Sequence, residues 1–315
     1  MRATTRAIAG AVVWIGFVVL RAPDPQAGAW AHALLLFAAL VLVPLALELF
    51  AETGETGAPV RLLRVATLAQ LPAALALVVA CVLQPGALAA SAALLWVALT
   101  GLLAVIGFLR VRREKWRRSL DGLCADAALF FAAIGGAWTL ADRAGWLPLN
   151  FRPEIVTLTA VHFHFAGLLL PLLAGLVQRE LFFMRFASRA AVAVVLGVPA
   201  VAVGITATQL GWGTSLETAA GCGLALAGMV VGVLHVRLAI DGRQDLTTRV
   251  LLGVAGAALF LGMVLAILYA LRTSALALPW LGIPQMRLLH GTLNALGFGL
   301  CGLLAWRRMA RASLD

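Results

Sequence analysis

The sequence predicts an all-α, polytopic transmembrane bundle of about ten helices, and three observations predict it. Apolar residues make up 63% of the 315 and charged residues 12%, with a mean hydropathy of +1.00. A soluble domain carries about a quarter charged residues, and no globule hides this much apolar surface from water. The apolar residues are gathered into runs of the roughly 20 residues that cross a bilayer at ~1.5 Å rise each. The basic residues between the runs are strongly one-sided. With ten crossings, Arg21, Arg143, Arg152, Arg272 and Arg287 fall on one side and the other nineteen of the 24 Lys and Arg fall opposite. The positive-inside rule makes the larger group cytoplasmic, together with both the N-terminus and the C-terminus.

Taken in order, the runs lie near 5–20, 29–50, 62–83, 87–109, 121–141, 157–177, 189–209, 216–236, 249–271 and 286–306. They form a single transmembrane domain over 1–315, with no soluble module between them. The first run, behind Arg2 and Arg6, is read as a retained helix. A signal peptide ending near Ala27, Gly28 and Ala29 is the other reading, and it leaves the remaining nine helices in place. Pro44, Pro72, Pro171 and Pro199 fall inside runs and are expected to kink them. Pro44 and Pro199 would be equivalent in a five-plus-five inverted repeat. Most of the 31 glycines, Gly228 and Gly232 among them, also fall inside runs, where small residues let helix backbones approach closely.

Composition excludes several function classes. The pI of 11.2 comes from basic residues at the ends of apolar runs, where they set orientation and meet anionic headgroups. Nucleic acid is therefore not an expected partner; membrane lipids are, with a small-molecule or lipid-like ligand. Cys81, Cys124, Cys222 and Cys301 lie within runs without a CxxC pair and read as small buried hydrophobes. No GxSxG, P-loop, HExxH or dinucleotide fingerprint is present.

Polar groups within a bilayer are costly and usually face the bundle interior. Helices running inward open with His32, with His162 and His164, with Glu217, and with His290 and Asn294. Helices running outward close with Asp142, with Thr206, Thr208 and Gln209, and with Tyr269. Four of the five histidines thus share one depth in the outer half. His290, Asn294, Gly297 and Cys301 make one small and polar stripe at helical spacing; His164, Gly167, Pro171, Gly175 and Gln178 make a second. His162 stands about 200° round the helix from His164, so the two address different surroundings. His235, beside Arg237, reads as an interfacial residue. Trp30, Trp138, Trp146, Trp212, Trp280 and Trp306 read mostly as interface anchors. In the inner half, Asp121 is expected to pair with Arg117 or Arg118, and Asp126 is the candidate one turn deeper.

The segments Ala160 to Gly167 (AVHFHFAG) and His290 to Gly299 (HGTLNALGFG) resemble the bacterial YndJ-like membrane proteins. The resemblance covers mainly the sixth and tenth runs, and it implies a multi-pass protein of the cytoplasmic membrane. Family members can be longer than this chain, so a function needing a further domain does not carry over. Separately, His162 to Phe165 (HFHF) is similar to the His-Phe-His-Tyr segment of haem–copper oxidases, in which two histidines on opposite helix faces ligate two haems. That likeness implies haem or a transition metal at His164, His290, His162 or His32. Phe165 stands where that segment has tyrosine, and no adjacent pair of histidines occurs.

Three functions are compatible with this pattern. The first is a transporter or permease with an outer-half cavity lined by His164, His290, Asn294, His162, His32, Glu217, Tyr269, Thr206 and Gln209. The second is a haem- or metal-binding protein, or an intramembrane enzyme acting on a lipid or isoprenoid-like substrate. The third is a structural or assembly subunit.

Overall fold

The computed structural model describes residues 2–51, 57–114 and 119–312. Lys115, Arg117 and Arg118, including the expected partners of Asp121, lie outside the described residues. Among the described residues there are ten helices long and apolar enough to cross a membrane, and no strand. They are α1 Ala3–Arg21, α2 Ala29–Phe50, α3 Ala58–Val82, α4 Ala87–Arg113, α5 Leu120–Ala144, α6 Pro153–Glu180, α7 Arg185–Gln209, α8 Ser215–Ile240, α9 Leu246–Ala270 and α10 Ile283–Ala312. Hydropathy locates the ends within a few residues except where polar residues continue a helix. α6 starts at Pro153, whose missing N–H costs nothing in a first turn. α10 runs through Arg307, Arg308 and Arg311 to Ala312, beyond the apolar run.

The chain forms two compact units. Unit 1 comprises Met1–Ser119 and Ala125–Leu169, and unit 2 comprises Leu120–Cys124 and Leu170–Asp315. In unit 1, α2 is the core. Every residue from Ala33 to Leu47 is buried, as expected of a helix that is apolar on all faces. α1 is two-sided: Ile8, Val12, Ile15 and Val19 form an exposed apolar face at helical spacing, while Ala3, Arg6, Ala7 and Gly10 are buried. An exposed apolar stripe of that kind suits lipid.

The backbone departs from α-geometry in α2, α6 and α10. π-helical turns occupy Ala38–Leu42 and Phe163–Leu169, each ending two residues before a proline, Pro44 or Pro171. A proline ring clashes with the carbonyl four residues back, and a widened turn carries that carbonyl clear. Pro199, matched to Pro44 in the sequence, sits instead in uninterrupted α-helix, so these two prolines do not share a backbone distortion. α10 is π-helical over Met286–Gly291 and Leu293–Cys301.

In unit 2, α8 and α9 cross in close backbone contact: a Cβ on Gly232 would meet the Gly256 carbonyl at 2.7 Å. This is the small-residue packing expected where lipid supplies no hydrophobic drive.

Candidate functional site

In unit 1 four helices converge on one carboxylate. Asp142, at the end of α5, has Oδ2 2.9 Å from His32 Nε2 of α2 and accepts a hydrogen bond from Arg143 Nε at 2.7 Å. Its Oδ1 accepts from Thr157 Oγ1 of α6 at 2.5 Å. Arg143 also donates through Nη1 to the Ala80 and Leu83 carbonyls at the end of α3, 3.3 and 3.4 Å away. Those carbonyls belong to the last turn of a helix, where they lack intrahelical partners and favour a cation. The Asp142 and Arg143 side chains are 7% and 5% exposed and His32 is 19% exposed. Cys81 of α3 lies within electrostatic reach of both charges.

His32 Nε2 lies between an acceptor and a donor: Arg143 Nη2 is 3.1 Å from it, nearly as close as Asp142 Oδ2. With a proton on Nε2 the ring donates to Asp142. With Nε2 bare it accepts from Arg143. The protonation state of one imidazole therefore selects its partner. No protein group among the described residues hydrogen-bonds to His32 Nδ1.

His164 is built differently. It lies in the π-turn of α6, fully buried, with its ring over Gly135 of α5. Nδ1 donates to the Ala160 carbonyl at 2.7 Å, and Nε2 accepts from the indole Nε1 of Trp96 (α4) at 3.0 Å. Both nitrogens are used, in one tautomer. A second proton would set two N–H groups against each other at Trp96. His162 is half-buried and packs edge-on to Phe163. Asp126 forms a fully buried ion pair with Arg110 of α4, Oδ1 to Nε 3.2 Å.

Unit 2 holds the other predicted residues. His290 Nδ1 donates to the Gly262 carbonyl of α9 at 2.8 Å, and Asn294 Nδ2 donates to the His290 carbonyl at 2.8 Å. A Cβ on Gly262 would lie 2.8 Å from Asn294 Nδ2, so the polar stripe of α10 rests directly on α9. Glu217 Oε1 accepts from Arg272 Nη2 at 2.6 Å, and the Arg272 guanidinium lies 4.6 Å from the Tyr269 ring centre. Glu217 and Tyr269 are thus brought together by an arginine that the sequence offers only as a charge count. Thr206 returns its hydroxyl to the Ala202 carbonyl of its own helix, and Gln209 is exposed.

His235, which the sequence presents as an interfacial residue, is fully buried within the protein, with Nδ1 donating to the Val231 carbonyl at 2.9 Å and Nε2 accepting from Trp306 Nε1 at 3.1 Å. Trp306 and Trp30 are buried rather than anchoring, whereas Trp146, Trp212 and Trp280 are exposed near helix ends. Proximity of His235 to Arg237 suggests the interface, but two residues on a helix are about 200° apart and need not share an environment. Each unit thus contains a carbonyl–histidine–tryptophan chain of the same chemistry, at His164 in unit 1 and His235 in unit 2.

Sequence reasoning picks out Asp142 as a polar residue at the shared depth but misses Arg143 and Thr157 as its partners. The adjacency of an acid and an arginine at the end of an apolar run is the available signal. Among the described residues, no three His, Cys, Asp or Glu side chains come together as a metal-binding group.

The family profile of YndJ-like proteins matches residues 33–298, a stretch that includes Asp142, Arg143, Thr157, His164, His290 and Asn294. The uncharacterized membrane protein YndJ of Bacillus subtilis (strain 168) is 28% identical over 302 residues, covering 95% of this chain and 52% of that protein. The chain therefore spans about half the length of the curated relative it matches. No solved structure matches it. With most of its length matched by that profile, the chain belongs to the YndJ-like protein family.

Proposed function

We propose that the protein is a permease-like carrier of the bacterial cytoplasmic membrane, in which the His32, Asp142, Arg143 and Thr157 cluster takes up and releases a proton as a small solute moves. By the positive-inside rule this cluster faces the extracytoplasmic side. The observation that carries the reading is the position of His32 Nε2, held between Asp142 and Arg143 at nearly equal distances. Intramembrane ionisable residues facing the protein interior mark ion and proton pathways in transporters. Here the proton adds to the bare Nε2 of His32, whose Nδ1 already carries one, the ring turns from acceptor to donor at Nε2, and the Arg143 guanidinium loses one partner. Helices α2 and α6, which supply His32 and Thr157, both contain π-turns ahead of a proline, so each has a place to bend. The role the sequence gives to His164 passes to His32, since both nitrogens of His164 are committed.

Proteoliposomes loaded with a pH-sensitive dye test this. A panel of small organic solutes is added outside, and solute-dependent proton movement is recorded. Movement that Asp142→Asn and His32→Ala abolish is the expected result. Folded wild-type protein that moves no proton with any solute, or variants that move protons as the wild type does, overturns it.

A second reading rests on His290. Its Nδ1–H is fixed on a backbone carbonyl and no protein group among the described residues hydrogen-bonds to Nε2, the arrangement in which histidines ligate metals. An absorption spectrum with a Soret band, or a stoichiometric metal lost in His290→Ala, supports it; the absence of both removes it.

A further inference from the structure

Within unit 1, α1, α2 and α3 meet around the π-turn of α2. In π register the carbonyl of Ala39 would bond to the N–H of residue 44, which is proline and has none. Gln70 of α3 supplies the missing donor, its Nε2 lying 2.8 Å from the Ala39 carbonyl. That contact fixes the amide orientation and turns Oε1 the other way. Gln70 is fully buried, and its Oε1 has no hydrogen-bond partner in the protein.

Arg6 of α1 reaches the same face of α3. Its Nη1 donates to the Thr67 carbonyl, one helical turn before Gln70, and Glu48 of α2 lies within electrostatic reach. Arg6 is itself buried, and its Nε also has no partner. Arg6 thus meets α3 at Thr67, one turn before Gln70, and brings a buried unpartnered donor to the part of the helix that carries a buried unpartnered acceptor. Buried polar atoms in folded proteins are paired with protein or with ordered water. An anion would satisfy Arg6 but not the Gln70 oxygen, and a cation the reverse. Only a small molecule that accepts at one atom and donates from it satisfies both.

We propose that unit 1 encloses a water-binding site between α1, α2 and α3, in which one water accepts from Arg6 Nε and donates to Gln70 Oε1. This water joins Arg6 to the Gln70 amide that completes the π-turn. The site is separate from the cluster at Asp142 and needs no transported solute.

The test is water-to-protein magnetisation transfer by solid-state NMR on the full chain in liposomes. Build-up on the Arg6 Nε proton is compared with exposed Arg243 and with the Trp96 indole proton, which is buried and satisfied by His164. Build-up at Arg6 close to that of Arg243 and well ahead of Trp96 is expected. Build-up no faster than at Trp96 overturns the site. In Gln70→Leu, loss of the transfer to Arg6 is expected, and a folded Gln70→Leu protein that keeps it overturns the assignment to these two residues.

Discussion

Asp142→Asn gives the sharpest energetic test of the unit 1 cluster. The substitution keeps the shape of the side chain and removes its charge. Arg143, whose side chain is 5% exposed, is left as a cation without a counterion, and two of the hydrogen bonds at Asp142 become neutral. Breaking a buried ion pair by removing one member costs about 3–5 kcal/mol in soluble proteins. Two features bring the figure to the low end. Arg143 keeps the Ala80 and Leu83 carbonyls, and the introduced amide oxygen can still accept from Thr157. Interhelical hydrogen bonds in membranes average only about 0.6 kcal/mol, so Thr157→Val alone should cost about that much. We therefore expect Asp142→Asn to destabilise by about 3 kcal/mol, read as a shift in reversible unfolding in mixed micelles. Arg143→Gln in the Asp142→Asn background should recover part of the loss, because the uncompensated charge is then gone. Strict additivity of the two substitutions would show that the charges do not interact and would refute the reasoning.

Trp96→Phe leaves His164 Nε2 without its donor inside a buried site and should cost about 1–3 kcal/mol by the same unfolding measurement, whereas Trp146→Phe, at an exposed position, should cost almost nothing. Gly262→Val places a Cβ against Asn294 and should separate α10 from α9, losing about 1–3 kcal/mol and freeing the His290 ring, seen as a changed imidazole signal by NMR. Asp245 caps α9, accepting from the backbone N–H groups of Thr247 and Thr248. The Thr248 hydroxyl above all, with the Thr248 N–H and Arg308, holds its carboxyl below the ordinary 3.8, against desolvation, the second largest influence. A lowered carboxyl contributes stability that is present above its unfolded pKa and disappears as pH falls through the folded one. The melting temperatures of the wild type and Asp245→Asn should therefore converge in acid and separate towards neutral pH.

The fold was largely legible because its cause is local. Ten apolar runs and one-sided arginines follow from what a bilayer demands of each helix, and neither requires knowing which helix touches which. Helix ends were less legible where arginines carry α10 past the apolar run. The candidate site was legible in kind rather than in membership. His32 and Asp142 stood out as polar residues at one depth, but they are 110 residues apart and only the packing of α2 on α5 joins them. Arg143 was hidden in plain view, since an arginine near a helix end reads as an orientation signal until its side chain is seen to turn inward. Trp96 gave no signal at all: a tryptophan within an apolar run is unremarkable until its indole N–H is found on His164. His235 shows the reverse, its sequence neighbour Arg237 suggesting an environment that its own helix face does not share.

The exchange of partner at His32 with its protonation state is the central step, and nitrogen NMR of the histidine side chains in liposomes measures it directly. Two forms of His32 should be seen, one with both nitrogens protonated and one with Nε2 bare, and Asp142→Asn should change their proportions at a fixed pH. His164 and His235 should remain in the Nδ1–H tautomer throughout. A His32 signal in a single form, or two forms whose proportions are indifferent to Asp142, would contradict the proposed mechanism.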